Sequence, residues 1–405
     1  MEKTDKTIIR ITDSVSWVGI RDYNIKNFDL VMETKHGTTY NSYFINAQHK
    51  TLIDSAKGKF WNTYREKLEQ VSNIKDIEFL ITTHTEPDHS GSIKNILEIN
   101  PDITIYGSGQ AIRFLSEMVE KPFNNVIIKD GEILNLGNKK LTFLSTPNLH
   151  WPDTIYVFLE NDNLLFSSDS FAAHYSTEQM IDSEIDNFDE EFIYYFNVIL
   201  RPYSKFMLKA IEKISNLNIN AICPSHGPIL KSHWKDKINL TKKLSEEYLS
   251  FVENQEIKIL IAYVSAYGYT GEIAKLISQG LKESGFNNIE IVDIENLSIE
   301  EMEDLIIKHN VFLIGSPTLN QNAALHIYKF LGLFSPIRDR GKKATSFGSY
   351  GWSGEAVKII ENQLKALKLD VMEGLSVKFT PFGNKTIDAI NFGKKFGEFI
   401  NSQSK

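Results

Sequence analysis

Residues 81–92 read ITTHTEPDHSGS and close an apolar run, IEFLIT, that begins at Ile77. Four potential metal ligands, His84, Glu86, Asp88 and His89, fall within six residues of one another. A strand feeding a tight loop aims alternating side chains at one point, and the last ligands continue around the turn. The competing account is a solvated polar turn, so the rest of the chain has to decide.

His150 lies in TPNLHWPDT, Asp169 in LLFSSDSF and His226 in ICPSHGP. Each follows an apolar stretch of strand character and precedes a Gly, Pro or Ser break. Separate strand ends that each carry a His or Asp predict convergence on a metal. Seven candidates exceed the needs of one four-coordinate ion, and a central carboxylate such as Asp169 can bridge two cations. Imidazoles and carboxylates without a thiolate leave iron, manganese and zinc open.

HTEPDH, HWPD, the lone Asp169 and SHG together resemble the metallo-β-lactamase-like domain of flavodiiron proteins. The resemblance implies one iron held by His84, Glu86 and His150, a second by Asp88, His89 and His226, and Asp169 as the bridge. At the position of His89 the family has either a ligand or a ring turned away with water in its place, and both stay open. Zinc hydrolases of the superfamily usually carry His where this chain has Glu86; a carboxylate is harder and favours iron. A dinuclear zinc hydrolase with an appended flavodoxin domain is the alternative reading. The resemblance also places His174 and Tyr195, or its neighbour Tyr194, near the centre as groups that hydrogen-bond an oxygen species or supply a proton. Core packing is the other account of His174. His36, His49, His233, His309 and His326 are expected at the surface.

From Lys258 the chain reads KILIAYVSAYGYTGEIAKLI: an apolar strand, a small and hydroxyl-rich loop, then a helical pattern. Ser265 and Thr270 can donate to a phosphate, Gly268 allows close backbone approach, and the following helix directs free amides at the anion. Two more loops, GSPTLNQN from Gly315 and GSYGWSGEA from Gly348, follow apolar strands and are predicted at the same carboxyl edge, where open parallel sheets bind ligands. GxGxxG is absent. The three loops resemble flavodoxin, which implies flavin mononucleotide (FMN) held by Ser265, Ala266, Tyr267, Gly268, Tyr269 and Thr270, by Pro317, Thr318, Leu319 and Asn320, and by Ser349, Tyr350, Gly351, Trp352, Ser353 and Gly354. Ala266 and Tyr269 depart from the commonest family spelling.

The predicted fold is α/β: an αββα metallo-β-lactamase-like sandwich over residues 1–250, with DLVMET and NSYFIN pairing around a KHGTT turn, then a flavodoxin-like doubly wound parallel sheet over 257–405. FVENQE is the predicted boundary. The 405 residues suit two cores, and a net charge of −8 without a basic run argues against nucleic acid or an anionic membrane as partner. Cys223 is the sole cysteine, which excludes a disulfide or a Cys-ligated iron–sulfur centre within the chain and suits the cytoplasm. No signal pattern opens the chain and no apolar run reaches membrane-spanning length.

The resemblance implies an oxidoreductase that reduces dioxygen to water, nitric oxide to nitrous oxide, or both. Electrons are expected from an external rubredoxin, flavoprotein reductase or reduced deazaflavin. A head-to-tail homodimer, or a dimer of dimers, is expected to set one subunit's flavin against the other's diiron site.

Overall fold

The computed structural model describes residues 6–28, 32–253 and 257–402, which divide into two compact units, 1–253 and 254–405. In the first unit a seven-stranded sheet runs in the spatial order Ile9–Arg10, Val15–Trp17, Tyr43–Ile45, Thr51–Ile53, Phe79–Ile81, Thr104–Gly107 and Asn125–Ile127. A five-stranded sheet runs Ile133–Asn135, Lys140–Ser145, Ile155–Leu159, Leu164–Phe166 and Ala221–Cys223.

Alternation along these strands makes the layers, because successive side chains leave opposite faces of a sheet. Ile53, Ile81, Phe143, Val157, Phe166 and Cys223 share one core between the two sheets. Their neighbours Leu52, Leu80, Leu144, Phe158, Leu165 and Ile222 point outward and pack against helical residues such as Leu68, Ile96, Leu115 and Met207. The result is the αββα sandwich. Within each sheet two strands that lead to the site are parallel: Thr51–Ile53 beside Phe79–Ile81, and Leu164–Phe166 beside Ala221–Cys223. Parallel neighbours end on one edge, and that edge carries the site.

Among the described residues the DLVMET–NSYFIN hairpin does not form. Tyr43–Ile45 instead pairs antiparallel with Val15–Trp17 and Thr51–Ile53, while Thr38–Tyr40, which begins inside the expected turn, is a strand paired with Ile20–Asp22. Met32–Glu33 pairs with Asn27–Phe28; residues 29–31 of the DLV segment lie outside the described residues. These strands are only two or three residues long, so the apolar Tyr43–Ile45 gains more by lying inside the large sheet than beside Met32–Glu33. The helix ending the unit, Trp234–Glu253, carries part of the expected FVENQE boundary, whose residues 254–256 also lie outside the described residues.

The second unit is one parallel sheet in the order Ile289–Asp293, Ile259–Tyr263, Val311–Gly315, Lys343–Tyr350 and Asp370–Val371, with Leu375–Lys378 pairing farther along Lys343–Tyr350. The order reverses beside the first strand, which creates a switch point between Ile259–Tyr263 and Val311–Gly315. One face packs Leu260, Phe312 and Ile314 against Ile306, Ile327 and Ile360; the other packs Ile261 and Leu313 against Ile273, Ile277 and Phe396. Helices on both faces complete the doubly wound arrangement.

No helix among the described residues is long and apolar enough to cross a membrane. His309 is buried rather than exposed, with Nδ1 2.7 Å from the Leu305 carbonyl and Nε2 3.1 Å from Glu290. It ends helix Ile299–Lys308 by turning its ring back onto a free carbonyl. His36, His49 and His233 are half-exposed and pair with Glu191, Glu78 and Asp236.

Candidate metal centre and flavin loops

His84 lies three residues beyond strand Phe79–Ile81, Asp169 three beyond Leu164–Phe166 and His226 three beyond Ala221–Cys223. The same offset past neighbouring strand ends brings these side chains to one edge. Glu86, Asp88 and His89 follow on the turn Pro87–Ser90, and His150 arrives on the loop before Ile155–Leu159.

Two groups result: His84, Glu86, His150 and Asp169, and Asp88, His89 and His226. In the first, Glu86 Oε2 is 3.2 Å from His84 Nε2 and 3.1 Å from His150 Nε2. Asp169 Oδ2 is 3.4 and 3.5 Å from the same two nitrogens. In the second, Asp88 Oδ2 is 3.2 Å from His226 Nε2, and Asp88 Oδ1 is 3.4 Å from His89 Nε2. Asp169 reaches this group through its other oxygen: Oδ1 is 3.2 Å from His89 Nε2 and 3.6 Å from His226 Nε2.

These groups are expensive to bury. Among the described residues no well-aligned hydrogen bond reaches either oxygen of Asp88, either ring nitrogen of His89 or Oδ1 of Asp169, all fully enclosed, and the closest contacts at Asp88, His89 Nε2 and Asp169 Oδ1 are with one another and with His226. Buried polar atoms are normally hydrogen-bonded, so convergent atoms without such partners fit cations held between them. The electrostatics agree. Burial opposes ionisation of Glu86, Asp88 and Asp169, yet the surrounding imidazoles hold all three well below the usual carboxylate range. Burial likewise opposes the His89 cation, but Asp88 and Asp169 push it up to about 9. Protons on the imidazoles balance the carboxylates where metal charge otherwise would.

Around the donors lies a ring of supports that the sequence reading passed over. Asp153, in the HWPD segment, has Oδ1 3.2 Å from His84 Nδ1. His226 Nδ1 donates to the Thr39 carbonyl at 2.6 Å. Asp54, buried after Thr51–Ile53, accepts from Thr83 N at 2.7 Å and Thr83 Oγ1 at 2.5 Å, which fixes the approach to His84. Burial raises its carboxyl to about 6. Spacing alone carries no signal for Asp54 or for a backbone carbonyl.

His174 is buried beside the second group, its ring centroid 4.9 Å from that of His226 and 4.9 Å from that of Tyr195. Nδ1 lies 2.8 Å from Thr38 Oγ1, and Nε2 has no protein hydrogen bond. Burial, with the His226 charge, holds His174 well below the usual imidazole range, so it is neutral. Tyr195 is fully buried, whereas Tyr194 is only part-buried and packs on the helical core.

In the second unit all three loops leave the carboxyl ends of parallel strands. Gly268 has φ +86° before helix Tyr269–Glu283, a left-handed turn with open space where a Cβ would stand. Thr270 Oγ1 lies 2.9 Å from Ser349 Oγ, and Thr318 N donates to the Ser349 carbonyl at 2.9 Å, which ties the loops together. Pro317 and Ser349 are buried, while Leu319, Asn320 and Gly351–Gly354 line the open side. Tyr267 is 82% exposed and Trp352 80% exposed, which leaves two large ring faces open to a planar ligand. Tyr350 is half-buried beside Gly354. Hydroxyls, free helix amides and bare aromatic faces fit a phosphorylated flavin.

Residues 38–227 match the family described as ODP family beta lactamase, and 261–393 match flavodoxin. A flavo-diiron protein of Clostridium acetobutylicum is 33% identical over 97% of this chain and 99% of its own. A nitric oxide reductase of Moorella thermoacetica is 32% identical over 97% of this chain and 98% of its own. The rubredoxin oxygen:oxidoreductase of Desulfovibrio gigas superposes with a TM-score of 0.73 at 24% identity, over 97% of this chain and 98% of that one, a likeness of fold.

Proposed function

Because this chain belongs to the flavodiiron protein family, we propose that it is an oxidoreductase that reduces dioxygen to water, nitric oxide to nitrous oxide, or both. The observation that carries this reading is the division of the Asp169 carboxylate between two ligand groups, in a chain that also holds a flavodoxin unit. His84, Glu86, His150 and Asp169 Oδ2 would hold one iron; Asp88, His89, His226 and Asp169 Oδ1 the other. The loops 265–270, 317–320 and 349–354 would hold FMN. When bound, two ferrous ions supply two electrons and reduced FMN two more: four convert dioxygen to two waters, and two couple a pair of nitric oxide molecules to nitrous oxide.

The chain's own residues set the conditions. Glu86, in place of a neutral imidazole, adds negative charge and favours iron over zinc. Neutral His174 has an uncommitted Nε2 that can hydrogen-bond a small molecule beside the second group, with Thr38 fixing the ring at Nδ1 and Tyr195 packing its edge. Asp88, His89, Asp169 and His226 are buried, which strengthens the charges among them, while Glu86 and His150 keep an exposed edge.

Electrons would come from an external rubredoxin, flavoprotein reductase or reduced deazaflavin. We also propose a head-to-tail homodimer, single or doubled, and a cytoplasmic setting consistent with the lone Cys223. The test is stopped-flow reoxidation of the reduced, iron- and FMN-loaded protein. Rapid multiple-turnover reoxidation by dioxygen, by nitric oxide, or by both assigns the substrate, and inertness to both overturns the reading.

A further inference from the structure

The imidazoles of the two ligand groups are backed differently. His226 Nδ1 donates to a neutral backbone carbonyl, that of Thr39. His89 Nδ1 has no protein hydrogen bond. Among the described residues His84 is the ligand imidazole with a carboxylate at its outer nitrogen, Asp153 Oδ1 at 3.2 Å, and both side chains are fully buried.

Asp153 is itself fixed. Its Oδ2 accepts from Thr85 N at 2.8 Å and from Thr85 Oγ1 at 2.5 Å, and its carbonyl accepts from Ser108 Oγ at 2.9 Å. Ser108 caps helix Gly109–Val119, so the carboxylate is anchored to a rigid element. With Oδ1 against His84 and Oδ2 held twice by Thr85, the carboxylate is fixed at both oxygens.

We propose that Asp153 is a positioning residue that makes the two half-sites electronically unequal. Its carboxylate fixes the proton of His84 on Nδ1, aims Nε2 inward, and lends the ring imidazolate character. A more basic imidazole donates more charge to a metal and stabilises its higher oxidation state. Glu86 in this group is matched by Asp88 in the other, so the carboxylate behind His84 is what separates the two half-sites. The half-site of His84, Glu86 and His150 is therefore the one that gives up its electron at lower potential. The half-site of Asp88, His89 and His226, beside His174, holds its electron longer.

This inference rests on the diiron reading, and one experiment separates the two. Iron content and the two iron midpoint potentials are measured in the wild type, Asp153→Asn, Asp153→Glu and Thr85→Val, with redox titration followed by EPR. Asp153→Asn is expected to raise the lower potential while the upper one stays put, and to weaken iron binding at that half-site roughly 10- to 100-fold. Asp153→Glu is expected to restore part of the shift. Thr85→Val, which removes one of the two Thr85 bonds to Oδ2 and leaves the backbone amide in place, is expected to move the lower potential much less than Asp153→Asn.

If the variants bind two irons with both potentials unmoved, the Asp153 role is wrong and the diiron reading stands. Should Thr85→Val shift the potential as far as Asp153→Asn, the effect is packing and the proposal falls. A wild type that does not bind two irons overturns both.

Discussion

Asp169 turns Oδ1 to within 3.2 Å of His89 Nε2, while its other oxygen faces the His84 and His150 rings. An amide at this position can keep only one acceptor, and its NH2 would confront imidazole nitrogens on the other side. Asp169→Asn is therefore expected to retain about one metal per chain instead of two, measured by elemental analysis after iron loading. The loss in turnover is expected to exceed the roughly 10- to 100-fold cost of losing an outer partner.

Glu86 Oε2 sits between His84 and His150, close to both. Glu86→His replaces a hard anionic donor with a neutral borderline one. Loaded from an equimolar mixture of ferrous iron and zinc, the variant is expected to shift its metal content toward zinc, and an unchanged ratio would remove Glu86 as the selecting residue.

Much of this was legible beforehand because His84, Asp169 and His226 each stand three residues past an apolar strand, and such strand ends converge by geometry. The three loops proposed to hold FMN gather at one edge for the same reason, each following a buried parallel strand. What escaped depends on distance across the fold. Asp153 stood in a quoted motif, yet nothing in the sequence links it to His84, sixty-nine residues away. The DLVMET–NSYFIN hairpin failed because a turn containing Gly37 is a local signal, whereas the partner of Tyr43–Ile45 is chosen by a core assembled from both sheets. His309 looked exposed because its neighbours are polar; its burial comes from Leu305 and Glu290, on a helix end and another strand.

Thr270 Oγ1 pairs with Ser349 Oγ at the mouth of the phosphate loop. Thr270→Val removes a hydroxyl that would donate to the FMN phosphate. A hydrogen bond to a charged group contributes about 1.5 kcal/mol or more, so FMN affinity is expected to fall by about tenfold. Flavin fluorescence during titration of the apoprotein measures it, and iron content should not change.

Asp339 is fully buried between Arg338 and Lys342 in the second unit. Asp339→Asn leaves Lys342 short of its counter-ion and Arg338 with Glu303 alone at 3.7 Å, and is expected to destabilise this unit by roughly 3 kcal/mol, read by chemical denaturation. Burial opposes the charge, but Arg338 and Lys342 lower the carboxyl below its ordinary value. The stability it contributes is thus full above the ordinary Asp range and is lost as pH falls through the lowered value. The variant should lack that acid-side loss.

Proton competition gives the last expectation. In the metal-free centre His89 is pushed up to about 9 and His84 is raised well above the usual imidazole range, so both carry protons at neutral pH. A metal binds the neutral ring and must displace those protons. Each displaced proton weakens apparent affinity by about a decade per pH unit as pH falls below the group's own value. Chelator competition at pH 6, 7 and 8 is therefore expected to show iron affinity rising with pH. His89→Asn should reduce the slope by about one proton. A slope that stays the same would mean that His89 is not displaced by metal and does not act as a ligand.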